Sequence, residues 1–332
     1  MEKKLTLAHG GGGEETYKLI KEIFIKHFKN PILERMEDSA LLEVKGKIAY
    51  TTDGFTVKPY FFKGGDIGKL AVAGTVNDLA VSGARPLYMT VSFILEEGFP
   101  LEDLKRIVKS LSETAKKVGI QIVAGDTKVL PKGGVDGIVI SASGIGEVIY
   151  EGLSSASLKE GDTIIVSGFI GDHGATVMAQ RLGFDIAVES DCAPLWDLVE
   201  KVLKGGFKVK AMRDPTRGGL SAVLYEWAKS SQVDIEVEEE AIPIREEVWG
   251  LCEFLGLEPY HFACEGRIVF AVENEDAQKV LEAIRSHPLG REAQIIGRVL
   301  GKSDQPKVLI KTPYGVERIM EPPAGELLPR IC

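Results

Sequence analysis

The sequence predicts an α/β protein with mixed sheets in two domains, and three observations support this fold class. The chain has 332 residues, whereas single hydrophobic cores stop growing at roughly 250–300 residues. Strand-like apolar runs alternate with amphipathic helical segments, but without the strict βαβ order of a purely parallel sheet. A stretch rich in serine and glycine, 151–161, interrupts this pattern. We therefore expect a first domain at 1–150, a second domain at 151–320 and a tail at 321–332.

The spacing of apolar residues predicts the helices and strands of the first domain. Helices are expected over 14–29, over 67–82 with Asp66 as the N-cap, and over 101–118, where acids begin the helix and lysines end it. Strands are expected at 47–52, 86–95, 120–124, 135–144 and 146–150. We expect the first of these strands to end at a turn formed by Asp53 and Gly54, and the third to end at Gly125 and Asp126.

The elements of the second domain are predicted from the same hydrophobic patterns. Apolar runs predict strands at 163–167, 234–237, 267–272 and 293–299. Helical periods predict helices at 171–181, 194–203, 220–230 and 275–285. Because strands and helices again alternate irregularly, we expect a mixed sheet here as well.

Composition argues against several classes of protein. The net charge of −9 opposes general nucleic-acid binding, which needs a basic face. No apolar run approaches the roughly 18 residues of a membrane helix, and the first residues have no apolar core for a signal peptide. We therefore expect a cytoplasmic protein that binds neither nucleic acid nor membrane. The spacing of the cysteines fits no standard zinc site, and Cys192, Cys252 and Cys264 are expected to be small buried hydrophobes.

The tail ends in the fourth cysteine. Three prolines and a glycine in residues 322–332 exclude a helix or a central strand, so we expect an extended, mobile segment. Cys332 has no following residue to bury its thiol, and Arg330 favours the thiolate. From the tail alone, a reactive thiol and an ordinary frayed terminus both remain open.

Four carboxylates of the first domain are candidate metal ligands. They are Asp38, Asp53, Asp78 and Asp126. Asp78 is the most informative, because it lies in an apolar helix, where a buried carboxylate needs a partner or a metal. Carboxylates that act together with phosphates suit Mg²⁺. Taken singly, each aspartate is more simply a cap or a turn former, whereas four of them gathered with Lys128 would need a functional explanation.

A glycine run near the start suggests phosphate binding. Consecutive backbone NH groups in residues 10–13 can form an anion nest, although a flexible loop remains an alternative. The chain has neither GxxxxGK[ST] nor a GxGxxG in a strand–turn–helix context, so it is not a P-loop or Rossmann protein.

Six motifs and the terminal Pro329-Arg330-Ile331-Cys332 resemble those of one known family. The motifs are His9-Gly10-Gly11-Gly12-Gly13, Thr52-Asp53-Gly54-Phe55, Gly64-Gly65-Asp66-Ile67-Gly68-Lys69-Leu70-Ala71, Thr75-Val76-Asn77-Asp78-Leu79-Ala80, Gly125-Asp126-Thr127-Lys128-Val129 and Asp214-Pro215-Thr216-Arg217-Gly218-Gly219. Over essentially the whole chain they resemble the hydrogenase maturation protein HypE family. Ser39 departs from the family pattern, which often has a second aspartate there, and Cys264 stands where a polar residue is more usual.

The resemblance implies both a fold and a reaction. The fold is the two-domain aminoimidazole-ribonucleotide-synthetase-like (PurM-like) fold, in which the first domains of a homodimer pair into a β-barrel. In the implied reaction, the carbamoyltransferase HypF loads a carbamoyl group onto the terminal cysteine. ATP then phosphorylates the amide oxygen, phosphate leaves and a thiocyanate remains. The cyanide passes to iron of a [NiFe]-hydrogenase through the HypC–HypD scaffold.

The resemblance also implies roles for particular residues. Cys332 would carry the substrate, with Glu265 and Lys128 near its thiol and Glu265 able to act as a general base. ATP would be bound by Gly11, Gly12, Asp38, Asp53, Asp78, Asp126 and Thr127. Mg²⁺ would be held by Asp38, Asp53, Asp78 and Asp126. Without the resemblance, Glu265 would be interpreted as an ordinary loop acid.

Other functions remain open from the sequence. The same superfamily contains thiamine-phosphate kinase, aminoimidazole ribonucleotide synthetase and selenophosphate synthetase. The last needs a reactive cysteine or selenocysteine near the N-terminus, whereas the first cysteine here is Cys192. A non-catalytic, ATP-binding adaptor that docks through its tail is an alternative of a different class.

Overall fold

The structure is a computed structural model, and it describes residues 4–11, 13–36 and 39–322. Over these residues the first half of the chain forms a four-stranded sheet and a short hairpin. The strands are β1 (Ile48–Phe55), β2 (Phe61–Phe62), β3 (Gly65–Asp66), β4 (Ala84–Glu96), β5 (Gln121–Leu130) and β6 (Ile138–Val148). The sheet order is β1-β6-β4-β5, with β4 and β5 parallel and the other pairs antiparallel.

Helices cover one face of this sheet. They are α1 (Glu14–Leu19), continued by a π-helical segment (Ile20–Ile25) into α2 (Lys26–Phe28), then α3 (Ile67–Val81) and α4 (Leu101–Val118). Asp66 caps α3, because its Oδ1 accepts the backbone NH groups of Gly68 and Lys69 at 2.8 and 3.0 Å. A Cβ at Gly144 of β6 would lie 2.7 Å from the Thr75 side chain. Glycine therefore allows α3 to lie close against the sheet.

The second half forms a mixed sheet of seven strands within the described residues. They are β7 (Thr163–Val166), β8 (Val209–Arg213), β9 (Val233–Glu238), β10 (Val269–Val272), β11 (Gln294–Lys302), β12 (Val308–Lys311) and β13 (Glu317–Ile319). Their order is β13-β12-β9-β11-β7-β10-β8, and β12 is parallel to β9. The helices of this half are α5 (Asp172–Leu182), α6 (Trp196–Lys204), α7 (Gly219–Ser231), α8 (Glu246–Leu255) and α9 (Ala277–Arg285).

One hydrophobic core joins the two halves. Helix α6 packs against both α3 and α9, and a continuous cluster of buried residues runs from Leu70 of α3 through Leu198 of α6 to Phe270 of β10. A separate core lies between α7 and the second sheet, centred on Trp227. Because the shared core holds α3 against the second half, the side chains of α3 reach both halves.

Two predicted turns are wrong. Asp53 and Gly54 lie inside β1, where Asp53 pairs with Ala142, and Asp126 lies inside β5, where it pairs with Ser92. Both segments continue as strands because their backbone groups pair with a neighbouring strand, which overrides the local preference of Asp-Gly for a turn. The predicted pair of strands 135–144 and 146–150 is one strand, β6. Helix α8 and strands β2, β3, β8, β12 and β13 were not predicted.

The predicted mixed α/β architecture is confirmed. The first sheet ends before residue 149 and the second begins after residue 162, but the boundary between residues 150 and 151 stays a prediction. Across the described part of the chain, no helix has the length and apolar character needed to cross a membrane.

Candidate functional site

Two of the predicted metal ligands, Asp53 and Asp78, lie together between the first sheet and α3. Asp53 projects from β1 toward α3, which carries Asp78, and Thr51 Oγ1 donates a 2.6 Å hydrogen bond to Asp78 Oδ2. The pKa of Asp53 is raised to about 6, mainly by burial and then by the charge of Asp78 and a hydrogen bond with its side chain. Arg217 opposes this rise. Because two like charges this close repel each other, the pair favours the binding of a proton or a cation.

A third carboxylate, not predicted as a site residue, joins them from the second half. Asp214 follows β8 and is buried. Burial raises its pKa to about 7, with further contributions from the charges of Asp78 and Asp53. Its motif, 214–219, was noted in the sequence, but no local feature indicated that this acid would meet the acids of the first half.

Glycines bring this motif close to a neighbouring loop. Gly218 and Gly219 have φ angles of 75° and 59°, which favour glycine. A Cβ at Gly219 would lie 2.4 Å from the carbonyl oxygen of Tyr260. The chain therefore passes directly from Asp214 into α7 while touching the segment that leads to Glu265.

A cavity of about 490 Å³ opens beside this acidic cluster. The first half contributes Thr51 and Asp78 to its wall, and the second half contributes Ser154, Arg213 and Asp214. It is therefore a polar cleft between the two halves, with carboxylates and a guanidinium group facing the same space.

Glu265 is buried in the loop before β10 and is 2% exposed. Its backbone NH donates to Asp191 Oδ1 at 3.0 Å, and its carbonyl oxygen lies 3.4 Å from Nδ2 of Asn77. Asn77 precedes Asp78 on α3. The loop that carries Glu265 is thus connected to the helix that carries one of the acids.

The remaining described candidates form a second group on β5. Asp126 and Lys128 are exposed, and the Thr127 NH donates to Asp126 Oδ1 at 2.8 Å. Gly10, next to Gly11, lies against this strand, because a Cβ at Gly10 would lie 2.5 Å from the backbone nitrogen of Val129. In one chain, β6 and β4 separate β5 from β1, a distance of about 14 Å across the sheet.

The structure therefore brings Asp53 and Asp78 together but does not bring Asp126 to them within one chain. Among the described residues, no group of three or more His, Cys, Asp or Glu side chains is arranged to hold a metal ion. Gly12, Asp38 and Cys332 lie outside the described residues. Their predicted roles stay predictions.

The three described cysteines are buried, as predicted. Burial raises the pKa of each thiol, and the charge of Glu265 raises that of Cys192 further. Because the thiolate is the nucleophilic form, these residues are inert packing groups.

Comparison with known proteins defines first the class and then the family. Residues 36–148 match the N-terminal domain, and residues 159–308 the C-terminal domain, of AIR synthase related proteins. The fold is that of this two-domain class.

Individual relatives narrow the class. The chain is 48% identical over 335 residues to the carbamoyl dehydratase HypE of Rhizobium leguminosarum bv. viciae, covering 99% of this chain and 95% of that protein. A crystal structure of hydrogenase maturation protein HypE in complex with ATP superimposes with a TM-score of 0.96 at 42% identity, covering 99% of this chain and 100% of that one. A HypE–HypF complex matches with a TM-score of 0.80 at 52% identity, covering 92% and 99%. The chain belongs to the HypE family of carbamoyl dehydratases.

Proposed function

We propose that this protein uses ATP to dehydrate a carbamoyl group on the sulfur of Cys332 to a thiocyanate, which supplies the cyanide ligand for [NiFe]-hydrogenase maturation. One observation carries the proposal. A chain related over its whole length to carbamoyl dehydratases has a partly buried acidic cluster facing a polar cleft, next to the loop that holds Glu265. The kinase, synthetase and adaptor alternatives are not favoured, because the relatives that cover the whole chain at 45–48% identity are carbamoyl dehydratases.

The proposed reaction has two bond exchanges. The amide oxygen of the S-carbamoyl group attacks the γ-phosphorus of ATP, the bond to the bridging oxygen breaks and ADP leaves. The carbon–oxygen bond then breaks and phosphate departs. Two N–H protons are lost, and a carbon–nitrogen triple bond remains. Phosphorylation is needed because an amide oxygen is a poor leaving group without it.

Asp53 and Asp78 supply the hard oxygen ligands that a divalent cation such as Mg²⁺ prefers. The charge of Asp78 raises the pKa of both Asp53 and Asp214, so the three carboxyl groups lie within electrostatic reach of one another. Mg²⁺, held by Asp53 and Asp78 with Asp38 and Asp126, would neutralise charge on the phosphates. Gly11, Gly12 and Thr127 are proposed to bind ATP, and Gly10, next to Gly11, lies against the strand that carries Thr127.

Glu265 is the proposed general base. Its burial keeps water away from the carboxylate, which is an environment suited to proton transfer. Glu321, the first residue of the tail, is held close to this part of the second half. Its carbonyl oxygen accepts hydrogen bonds from Ser221 Oγ at 2.7 Å and His261 Nε2 at 3.1 Å. His261 belongs to the segment that leads to Glu265. This supports Cys332 as the residue presented to Glu265.

A homodimer is proposed because one face of the first sheet is uncovered in the described residues. Tyr50 is 67% exposed on this face, and its row continues through Ile145 and Tyr88 on the neighbouring strands. Strands β1 and β5 are also edges, which invite pairing. Asp126 and Lys128 project from the same face. A second copy would therefore lie beside them, which makes a role for both residues in a shared site reasonable.

The remaining partners follow from the reaction. HypF is the proposed carbamoyl donor, supported by the solved HypE–HypF complex, and a HypC–HypD scaffold is the proposed acceptor of cyanide. Because the reaction consumes ATP, we expect it to take place in the cytoplasm.

Mass spectrometry of the C-terminal peptide tests the proposal. The protein is incubated with the carbamoyltransferase and carbamoyl phosphate, first with limiting ATP and then with ATP in excess. The peptide should gain a carbamoyl group and then lose one water as ADP and phosphate appear. Cys332→Ala is the control and should gain nothing. A carbamoylated peptide that never loses water would refute the dehydratase proposal and favour an adaptor.

A further inference from the structure

Asp191 is a buried carboxylate that the proposed reaction does not use. Its side chain is 0% exposed. Its two oxygens accept consecutive backbone NH groups, that of Glu265 at 3.0 Å and that of Gly266 at 3.2 Å. Burial raises the pKa of Asp191, while Arg267 and the two NH groups oppose the rise. A buried carboxylate aimed at two NH groups of one loop fixes the position of that loop.

The surrounding contacts leave this loop little freedom. Arg267 Nε lies 3.9 Å from Asp191 Oδ2, and the same guanidinium donates to the carbonyl oxygens of Phe169 and Gly266 at 3.0 and 2.8 Å. A Cβ at Gly266 would lie 1.8 Å from the carbonyl oxygen of Asp191. The loop therefore cannot shift without breaking several buried polar contacts, each of which is costly to lose.

Asn77 holds the same loop from the side of the first half. Its Nδ2 donates to the carbonyl oxygen of Ala193 at 3.1 Å and lies 3.4 Å from that of Glu265. Its Oδ1 accepts the NH of Leu195 at 2.8 Å. The amide thus bridges α3, the segment that follows Asp191, and the loop that carries Glu265.

We propose that Asp191 is a positioning residue that fixes Glu265 through its backbone, and that Asn77 ties this arrangement to the helix carrying Asp78. The inference rests on the proposed role of Glu265 as the general base. Asp191 touches no reacting atom. Its effect arises because a base must stay within hydrogen-bond reach of the proton that it takes, and a small displacement lowers the rate steeply.

A double-mutant cycle tests this inference. The full-length protein is loaded with a carbamoyl group, and a single turnover with ATP is followed by the rate of thiocyanate formation. Asp191→Asn should lower this rate by roughly 10- to 100-fold, since one oxygen can no longer accept an NH group, while the Kd for ATP stays unchanged. In a Glu265→Gln background, the same substitution should cause no further loss, because its effect passes through Glu265.

Asp162→Asn is the matched control. Asp162 is also a buried aspartate of the second half that accepts a backbone NH, from Lys159 at 2.8 Å, but it has no contact with the Glu265 loop. This variant should turn over at the wild-type rate. If Asp191→Asn does not fold, Asn77→Ser takes its place in the cycle, with the same expected loss of rate and the same absence of effect in the Glu265→Gln background.

The outcomes separate the inference from the proposed function. If Glu265→Gln is slow and Asp191→Asn lowers its rate further by the same factor as in the wild type, Asp191 acts independently and the positioning role is overturned. A parallel loss of ATP affinity would overturn it as well. If Glu265→Gln turns over at the wild-type rate, the proposed base is wrong and the inference falls with it.

Discussion

Replacing Asp214 by asparagine should make the protein more stable, and increasingly so as the pH rises. The side chain is buried against Asp78 and Asp53, and its pKa is raised to about 7. The native protein therefore holds this proton more tightly than the unfolded chain does. The stability that this provides is fully present at acidic pH, below the unfolded pKa of about 3.9, and is lost as the pH rises through about 7.

The size of the effect follows from the shift. The rise of the Asp214 pKa from about 3.9 to about 7 corresponds to about 4 kcal/mol of stability lost well above pH 7. Of this loss, about 2–3 kcal/mol develops between about pH 5 and about pH 8. For a chain of this size, 1 kcal/mol changes the Tm by about 2 °C. Asparagine has a similar shape and carries no charge. The Tm of Asp214→Asn relative to wild type should therefore rise by roughly 5 °C over this pH interval.

Thermal unfolding of both proteins at the two pH values, with a metal chelator present, measures this difference. Asp185→Asn is the control, because the Asp185 side chain is fully exposed, and its Tm difference from wild type should be the same at both pH values. The reasoning is refuted if the Tm difference of Asp214→Asn is also independent of pH. It is equally refuted if the variant is less stable than wild type at the higher pH.

Three further predictions concern the proposed reaction. Asp78→Asn should abolish ATP turnover and leave the Tm within a few degrees of wild type, because asparagine keeps the hydrogen bond from Thr51 but holds a cation poorly; normal turnover in the folded variant would remove Asp78 from the proposed metal site. Cys332→Ala should bind ATP but form no thiocyanate, whereas Cys264→Ala should react and lose only about 1–3 kcal/mol of stability, through packing and through the hydrogen bond that the Gly171 NH donates to Cys264 Sγ; thiocyanate on any other cysteine would contradict this. Light scattering at micromolar concentration should give a dimeric mass for wild type and a monomeric mass for Tyr50→Glu, which puts a charge on the uncovered face; a monomeric wild type would exclude the proposed dimer.

Local sequence patterns predicted the helices that carry the site but not the contacts between distant acids. Asp66 as the cap of α3 and the helical position of Asp78 followed from neighbouring residues alone. Asp53 was expected in a turn, because the preference of Asp-Gly is local, whereas its pairing with Ala142 depends on a distant strand. Asp214 meets Asp53 and Asp78 only because the two halves share a core. A local sequence pattern does not show which distant residues will lie close together unless the fold is already known.

The same limit explains why the sequence indicated a role for Asp78 but none for the neighbouring Asn77. Both are polar residues in an otherwise apolar helix, which suggests a single shared purpose. Successive side chains of a helix point about 100° apart, however, so the two residues face different neighbours. Asp78 faces Thr51 and the acids, whereas Asn77 faces the backbone of Ala193, Leu195 and the loop of Glu265. One rigid helix therefore sets the distance between the proposed metal site and the proposed base. An adjacent pair of polar residues in a buried helix can thus join two parts of a catalytic site, which is a stronger constraint than either residue would impose alone.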